Sequence, residues 1–288
     1  MPRRDDDYDD DEPRARRGRD GDDELPRRKR RPLDDDDDDL PAKKKSSTPL
    51  ILGIVGGILL LCCGGGGFAV YWFFNRVSEA AQGSIETRNN LAEIGIAMHN
   101  HADRNNAFPT NTYSRDGKPL LSWRVHLLPY LGQDNLYRQF KLDEPWDSPN
   151  NRRLLDQMPL VYATAQERRG SKMIGNRTHI RGFSNKGALF ERMPGLANAN
   201  GKRIADITDG LSNTILAVEA ADAVEWTKPD DLDASPGSPF PRLGVNPSID
   251  KVFVLFCDGG VKLIKKSNPE TQWRASIGIN DGIVVMLD

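Results

Sequence analysis

Cysteine is scarce in this 288-residue chain: there are three, and only Cys257 lies beyond residue 63. A disulfide framework is thereby excluded for residues 77–288, whose stability must come from packing. Charge is missing from every position between Lys45 and Arg76. Large apolar side chains are almost missing from residues 1–48, where Met1, Tyr8 and scattered Leu stand among blocks of charge. Such a segment cannot bury enough surface to offset chain entropy, so a disordered tail is expected over 1–48. Gly-x-Ser-x-Gly, His-Glu-x-x-His and a glycine-rich phosphate loop are absent, and no cysteine–histidine pair has supporting context. No enzyme activity and no cofactor are therefore expected.

The charge-free stretch is filled with Leu, Ile, Val and Gly from Pro49 and closes on Phe68-Ala-Val-Tyr-Trp-Phe-Phe74. About 25 helical residues at roughly 1.5 Å each reach some 37 Å, more than the roughly 30 Å of hydrocarbon in a bilayer. A transmembrane helix over 49–75 is expected, with the lipid bilayer as its first partner. Lys43, Lys44 and Lys45 abut it on one side, with Arg27 to Arg31 behind them, whereas Arg76 stands alone on the other, near Glu79. This asymmetry predicts a single-pass protein of the cytoplasmic membrane, N-terminus in the cytoplasm and C-terminal domain exported. The run is too long, and lies too far behind the polar tail, for a cleaved signal peptide. Cys62 and Cys63 inside it, like Cys257, read as buried apolar side chains. Gly53 and Gly57 form a small-xxx-small pair that could bring two such helices together. In the tail, the acidic blocks Asp5–Glu12 and Asp34–Asp39 alternate with the basic blocks Arg14–Arg19 and Arg27–Arg31. A solvated tail with its last lysines on anionic lipid, or one docking a cytoplasmic partner, fits this pattern; nucleic acid does not, because the acidic blocks cancel the attraction to phosphate.

Residues 76–288 suffice for one exported domain. From Val77 to Asp103 there is no proline, and Leu91, Ile94, Met98 and His101/Ala102 recur at helical spacing. One helix is expected to run from the membrane to about Arg104, residues 76–104 forming the spine of the domain. Val252 to Phe256 and Val261 to Ile264 read as strands around Asp258-Gly259, a pair suited to a tight hairpin whose central residues need positive φ. Thr214–Val218 and Ile283–Leu287 read as further strands. Leu120–Leu131 and Leu136–Phe140 have helical spacing, broken near Pro129 and Gly132. The fold class is α+β. Pro229 to Pro247 reads as a long loop, either variable or a recognition surface.

Four ordered blocks carry a resemblance. Arg88-Asn89-Asn90-Leu91 with Gly95, His99, Asn100, Phe108 and Pro109 forms the first. Ser122-Trp123-Arg-Val-His-Leu-Leu-Pro129-Tyr-Leu131, followed by Trp146-Asp-Ser-Pro-Asn150, forms the second. Asp209-Gly210-Leu-Ser212-Asn213-Thr214 with Glu219 is the third, and Phe253 to Val261, containing Asp258-Gly259, is the fourth. Together they resemble the planctomycete pilin-like family, domain of unknown function 1559. The resemblance implies a long N-terminal helix, partly in the membrane, packed on an antiparallel sheet. It also implies a prepilin-type processing site and a closing histidine. Here Gly67-Phe68 lacks preceding basic residues, Trp72 stands at the glutamate position and Ser248 replaces the histidine. A permanent anchor is expected instead of a processed filament subunit.

Candidate chemistry is thin. His99 and Asp103 share a helix face, but one pair is not a metal site, and histidines packed near the helix end are the plainer expectation. Asp206, Asp209 and Asn213 offer oxygen ligands near a glycine, though without EF-hand spacing. Asn89, Asn90, Ser212 and Asn213 are expected to cap turns and tie helix to sheet. Two functions fit. One is a structural or assembly protein contacting itself, pilin-like subunits or secretion components; the other is a receptor for a small solute or polysaccharide using aromatics around Trp226 and Phe240. An uncovered apolar stripe on helix 77–104 would favour assembly, and a convergent exposed aromatic platform the receptor.

Overall fold

The computed structural model describes residues 67–288 except 165–167, 170–171, 174, 194 and 196–199. The tail 1–48, residues 49–66 of the expected span, the Gly53/Gly57 pair, Cys62 and Cys63 lie outside the described residues. Among the described residues no helix is long and apolar enough to cross a membrane.

Helix α1, Gly67–Asn105, is the 39-residue spine. Leu91, Ile94 and Met98 are fully buried, and His101 and Ala102 nearly so, which is the stripe the spacing predicts. Burying three side chains of this size contributes about 1.5–3 kcal/mol each. The helix stops because Asn106 turns left-handed at φ 56°, while Asn105 Nδ2 donates to the carbonyl of His101 at 3.0 Å. Both are ordinary ways to end a helix.

The main sheet is four-stranded and antiparallel in the order β3-β4-β5-β6, with β3 Arg177–Arg181, β4 Ile215–Glu225, β5 Lys251–Phe256 and β6 Val261–Lys265. A separate small ribbon pairs β1 Arg168–Arg169 with β2 Lys172–Met173. Residues of α1 lie against β5 and against the 3-10 turns Leu128–Leu131 and Leu160–Tyr162. The observed class is α+β.

The predicted hairpin is present, in register Leu255↔Val261 and Phe253↔Leu263, but its turn differs from the expected one. Only Gly259 has positive φ, at 83°, and Phe256 N donates to Gly260 O at 2.9 Å. This is a three-residue connection closed by a glycine, which needs one left-handed residue where a two-residue turn needs two. The strand at Thr214–Val218 extends to Glu225, since a neighbour is available on each side. Ile283–Leu287 is not a strand: Lys265 N bonds Asp288 O, but no ladder forms, and Ile283, Val284 and Met286 stay exposed. Leu120–Leu131 is not one helix either. Leu120 and Leu121 hydrogen-bond to Thr112 as extended chain, and only α2, Trp123–His126, and a 3-10 turn follow before left-handed Gly132. Asp134–Tyr137 forms the short helix α3.

Both sheet faces are covered. One carries Ile180, Leu216 and Leu255 against α1 and residues 108–163. The other carries Val252, Val254, Phe256 and Ile264 against Leu232, Ala234, Leu243 and Trp273. Part of the Pro229–Pro247 segment is therefore a lid on the second core, and the helix α4, Glu270–Ala275, completes it. Without that lid the second face would expose a row of large apolar side chains.

Candidate functional site

Three of the four motif blocks converge where α1 crosses the β5–β6 turn. A Cβ on Gly95 would stand 3.0 Å from Leu255 Cδ1 and 3.2 Å from Gly259 Cα, so the absent side chain lets helix and hairpin touch. One turn further on, His99 Nε2 lies 2.9 Å from the carbonyl of Cys257. A carbonyl only accepts, so Nε2 carries the proton. The ring also meets Phe108 edge-on at 5.5 Å.

The turn itself is pinned from below. Cys257 N donates to Thr214 O and Asp258 N to Leu211 O, Asp258 Oδ1 accepts from Gly260 N at 2.7 Å, and Cys257 is buried. Thr214 Oγ1 reaches Gly210 O at 3.1 Å, and Asn213 Nδ2 reaches Asp209 O at 3.2 Å.

The three candidate cation ligands do not meet as a set. The Asp209 carboxylate accepts from Asp281 N at 2.8 Å and Gly282 N at 3.0 Å. Asp206 pairs with Arg203 at 2.7 Å and caps its backbone N–H. Asn213 turns its amide nitrogen inward. Among the described residues no three His, Cys, Asp or Glu side chains are grouped to hold a metal. The junction joins four segments by hydrogen bonds; its chemistry is that of a fastening.

Other motif residues spread through the fold. Asn90 Nδ2 donates to Leu160 O at 3.2 Å and Ala163 O at 2.9 Å, tying the helix to a 3-10 turn and not to the sheet. Asn89, Asn100 and Ser212 are exposed, Phe108 and Pro109 are buried, and Pro129 is the second residue of the 3-10 turn Leu128–Leu131. Pro109 bridges to Asn200, and Glu219 sits opposite Ile180 in the sheet. Ser248 lies exposed in the turn before β5.

The aromatic pair proposed for a receptor forms no common platform. Trp226 is fully buried and donates to Leu155 O at 2.9 Å. Phe240 lies in the other core between Phe183 and Trp273, with the Arg274 guanidinium over it at 5.5 Å.

One polar network has no counterpart among the sequence expectations. Arg124 is fully buried, with Nε and Nη2 on the carbonyl of Ile180 at 2.9 and 2.6 Å, Nη1 on Ser122 Oγ at 2.7 Å and Nη2 on Asp231 at 3.2 Å. Asp231 also accepts from Asn111 at 2.7 Å, Gly182 N at 3.0 Å and Trp123 Nε1 at 3.3 Å. The guanidinium thus satisfies a carbonyl at the outer edge of β3, and its charge is matched inside the core. An arginine within Trp-Arg-Val-His-Leu-Leu was the available signal: an ionised group in an apolar run requires a buried counter-charge.

His126 is expected to make the domain acid-sensitive. Burial, helped by nearby His101, pushes its pKa down to about 3; Nδ1 has no partner among the described residues, and Nε2 is 3.4 Å from Thr112 Oγ1. The fold holds the ring neutral while the unfolded chain protonates it below about 6.5, so this contribution is intact above that pH and is lost as pH falls toward 3. Urea denaturation is expected to give a stability about 2 kcal/mol lower at pH 5 than at pH 7, above the range where most carboxylates titrate. The substitution His126→Gln removes most of that slope.

The outer side of α1 carries its own pattern. Ile85 is 61% and Ile96 64% exposed, as is Tyr71 at 66%. Eleven residues make about three helical turns, so Ile85 and Ile96 stand on one face, with Asn89 and Asn100 between and beyond them.

A family model described as "Protein of unknown function (DUF1559)" matches residues 85–251, more than half of the chain. No curated protein and no solved structure matches it.

Proposed function

Because the chain belongs to the family described as a protein of unknown function (DUF1559), we propose that it is a membrane-anchored, pilin-like structural or assembly protein of the cell envelope. It crosses the cytoplasmic membrane once through 49–75, with the tail inside and residues 76–288 outside, and performs no catalysis. The single observation that carries this reading is the pair of exposed isoleucines, Ile85 and Ile96, on the side of a helix whose opposite stripe is fully packed. Two exposed isoleucines about three turns apart on one helix face offer anchor points for another apolar surface. The helix laid on an antiparallel sheet supports the same reading. The receptor alternative loses its argument from Trp226, whose ring is enclosed.

Disulfide trapping in native membranes tests it. With Cys62 and Cys63 replaced by Ser, Ile85→Cys and Ile96→Cys are each expected to give an oxidised adduct with a second copy or another envelope protein. Lys186→Cys, on an exposed site away from α1, should give none. Absence of any adduct at both α1 positions overturns the assembly role.

A further inference from the structure

A cleft of about 350 Å³ opens between the 3-10 turn Asn151–Gln157 and the far end of the β3–β4 pair, lined by Trp146, Asp147, Arg152, Asp156, Asn176 and Glu225. That volume falls within the roughly 300–1,000 Å³ range of small-ligand pockets. Its walls are held in place. Asn151, fully buried, donates through Nδ2 to the carbonyls of Lys141, Glu144 and Pro145 at 2.9, 3.2 and 3.0 Å, and accepts from Lys141 N at 2.9 Å. The backbone that presents Trp146 is therefore fixed from beneath. On the opposite wall Asn176 Nδ2 donates to Asp156 Oδ1 at 3.2 Å, and Asn176 O accepts from Trp226 N. A preorganised wall of this kind is what a binding site requires.

The lining decides the ligand. Three carboxylates, Asp147, Asp156 and Glu225, line the cleft together with Arg152, and the Lys228 ammonium, paired with Asp230 at 2.7 Å, stands 5.8 Å from the Trp146 ring centroid. An anion is repelled by this set. Arg152 offsets one of these charges, while Lys228 is held by Asp230 and does not line the cleft, so carboxylate oxygens are left to accept hydrogen bonds from a ligand's hydroxyl groups. What remains is an array of acceptors and donors beside one apolar aromatic flank. Hydroxyl groups both donate and accept, and a pyranose ring has an apolar C–H face for an indole.

We propose that this cleft is a saccharide subsite, with Trp146 beneath the sugar ring and the carboxylates, Asn176 and Arg152 on its hydroxyls. The larger grooves fit less well. In the one beside α4, Arg274 is already bonded to the carbonyls of Ser235 and Ser238 and to Glu270. In the one around Arg242 and Lys266, those cations are bonded to Asp222 and to Asn246 O. The subsite does not depend on the assembly role of α1.

The test uses the full chain in a detergent without a sugar headgroup, titrated calorimetrically with neutral hexasaccharides of glucose, mannose and N-acetylglucosamine, and with spermidine as the cationic comparison. At least one hexasaccharide is expected to bind with Kd of about 1 mM or tighter. Trp146→Ala and Glu225→Gln should each weaken it about tenfold or more. Glu225→Gln sits at a strand end and should leave the urea midpoint unchanged, which separates lost binding from lost folding. Binding of no hexasaccharide, binding untouched by Glu225→Gln in the folded variant, or binding of spermidine alone overturns the proposal.

Discussion

Replacing Asp231 with Ala lowers the stability of the domain by about 3–5 kcal/mol, because it leaves the Arg124 guanidinium buried without its counter-charge. Both side chains are completely enclosed, so water cannot replace the lost partner. The same change strips acceptors from Asn111, Trp123 Nε1 and Gly182 N. Urea denaturation followed by tryptophan fluorescence reads the loss. The cause is separable from packing by a double substitution: Arg124→Met together with Asp231→Leu removes both charges and is expected to recover part of what Asp231→Ala loses. A midpoint for Asp231→Ala within about 0.5 kcal/mol of the parent would mean that the pair does not hold β3 to α2.

The second large effect is expected at Gly182, just after β3. A Cβ there overlaps Cδ2 and Cε2 of Phe190 and stands 3.2 Å from Leu216 O. Phe190 cannot swing aside, since it is fully buried and stacked on Trp123 at 5.1 Å. Nor can the backbone retreat, since Gly182 N is bonded to Asp231 and its carbonyl accepts from Leu232 N at 2.9 Å. Gly182→Ala is therefore expected to cost about 3 kcal/mol, the upper end for overpacking by one methyl group. Gly175→Ala provides the contrast. Among the described residues a Cβ there meets only Arg177 N, at 4.0 Å, and the loss of chain entropy in the unfolded state should leave stability equal or slightly raised. Equal midpoints for the two variants would refute the steric argument.

Much of the helix and hairpin was legible in the sequence, for reasons that are local. Leu91, Ile94 and Met98 repeat at a spacing only a helix can bring to one side, and the β formers around Asp258-Gly259 leave few alternatives to a hairpin. Ile283–Leu287 misled because β-rich composition does not supply a hydrogen-bonding neighbour. Leu120–Leu131 misled because the extended pairing of Leu120 and Leu121 with Thr112 competes with helix over the first part of the run. At the junction, Gly95, His99 and Gly259 were recognisable as motif positions. That the missing Cβ of one meets the backbone of another is a contact between residues far apart in the chain, and no spacing rule reports it.

By itself the sequence determined the α+β class, the family, the packed stripe of α1 and the hairpin, because each depends on residue periodicity or on ordered motif blocks within short stretches. The tertiary structure alone decided that Arg124 finds Asp231, that Trp226 is enclosed while Trp146 lines a cleft, and that Asp206, Asp209 and Asn213 turn to separate partners. Those outcomes depend on which distant segments occupy the same space and on how a buried charge or donor is satisfied there, which the order of residues along the chain does not specify locally.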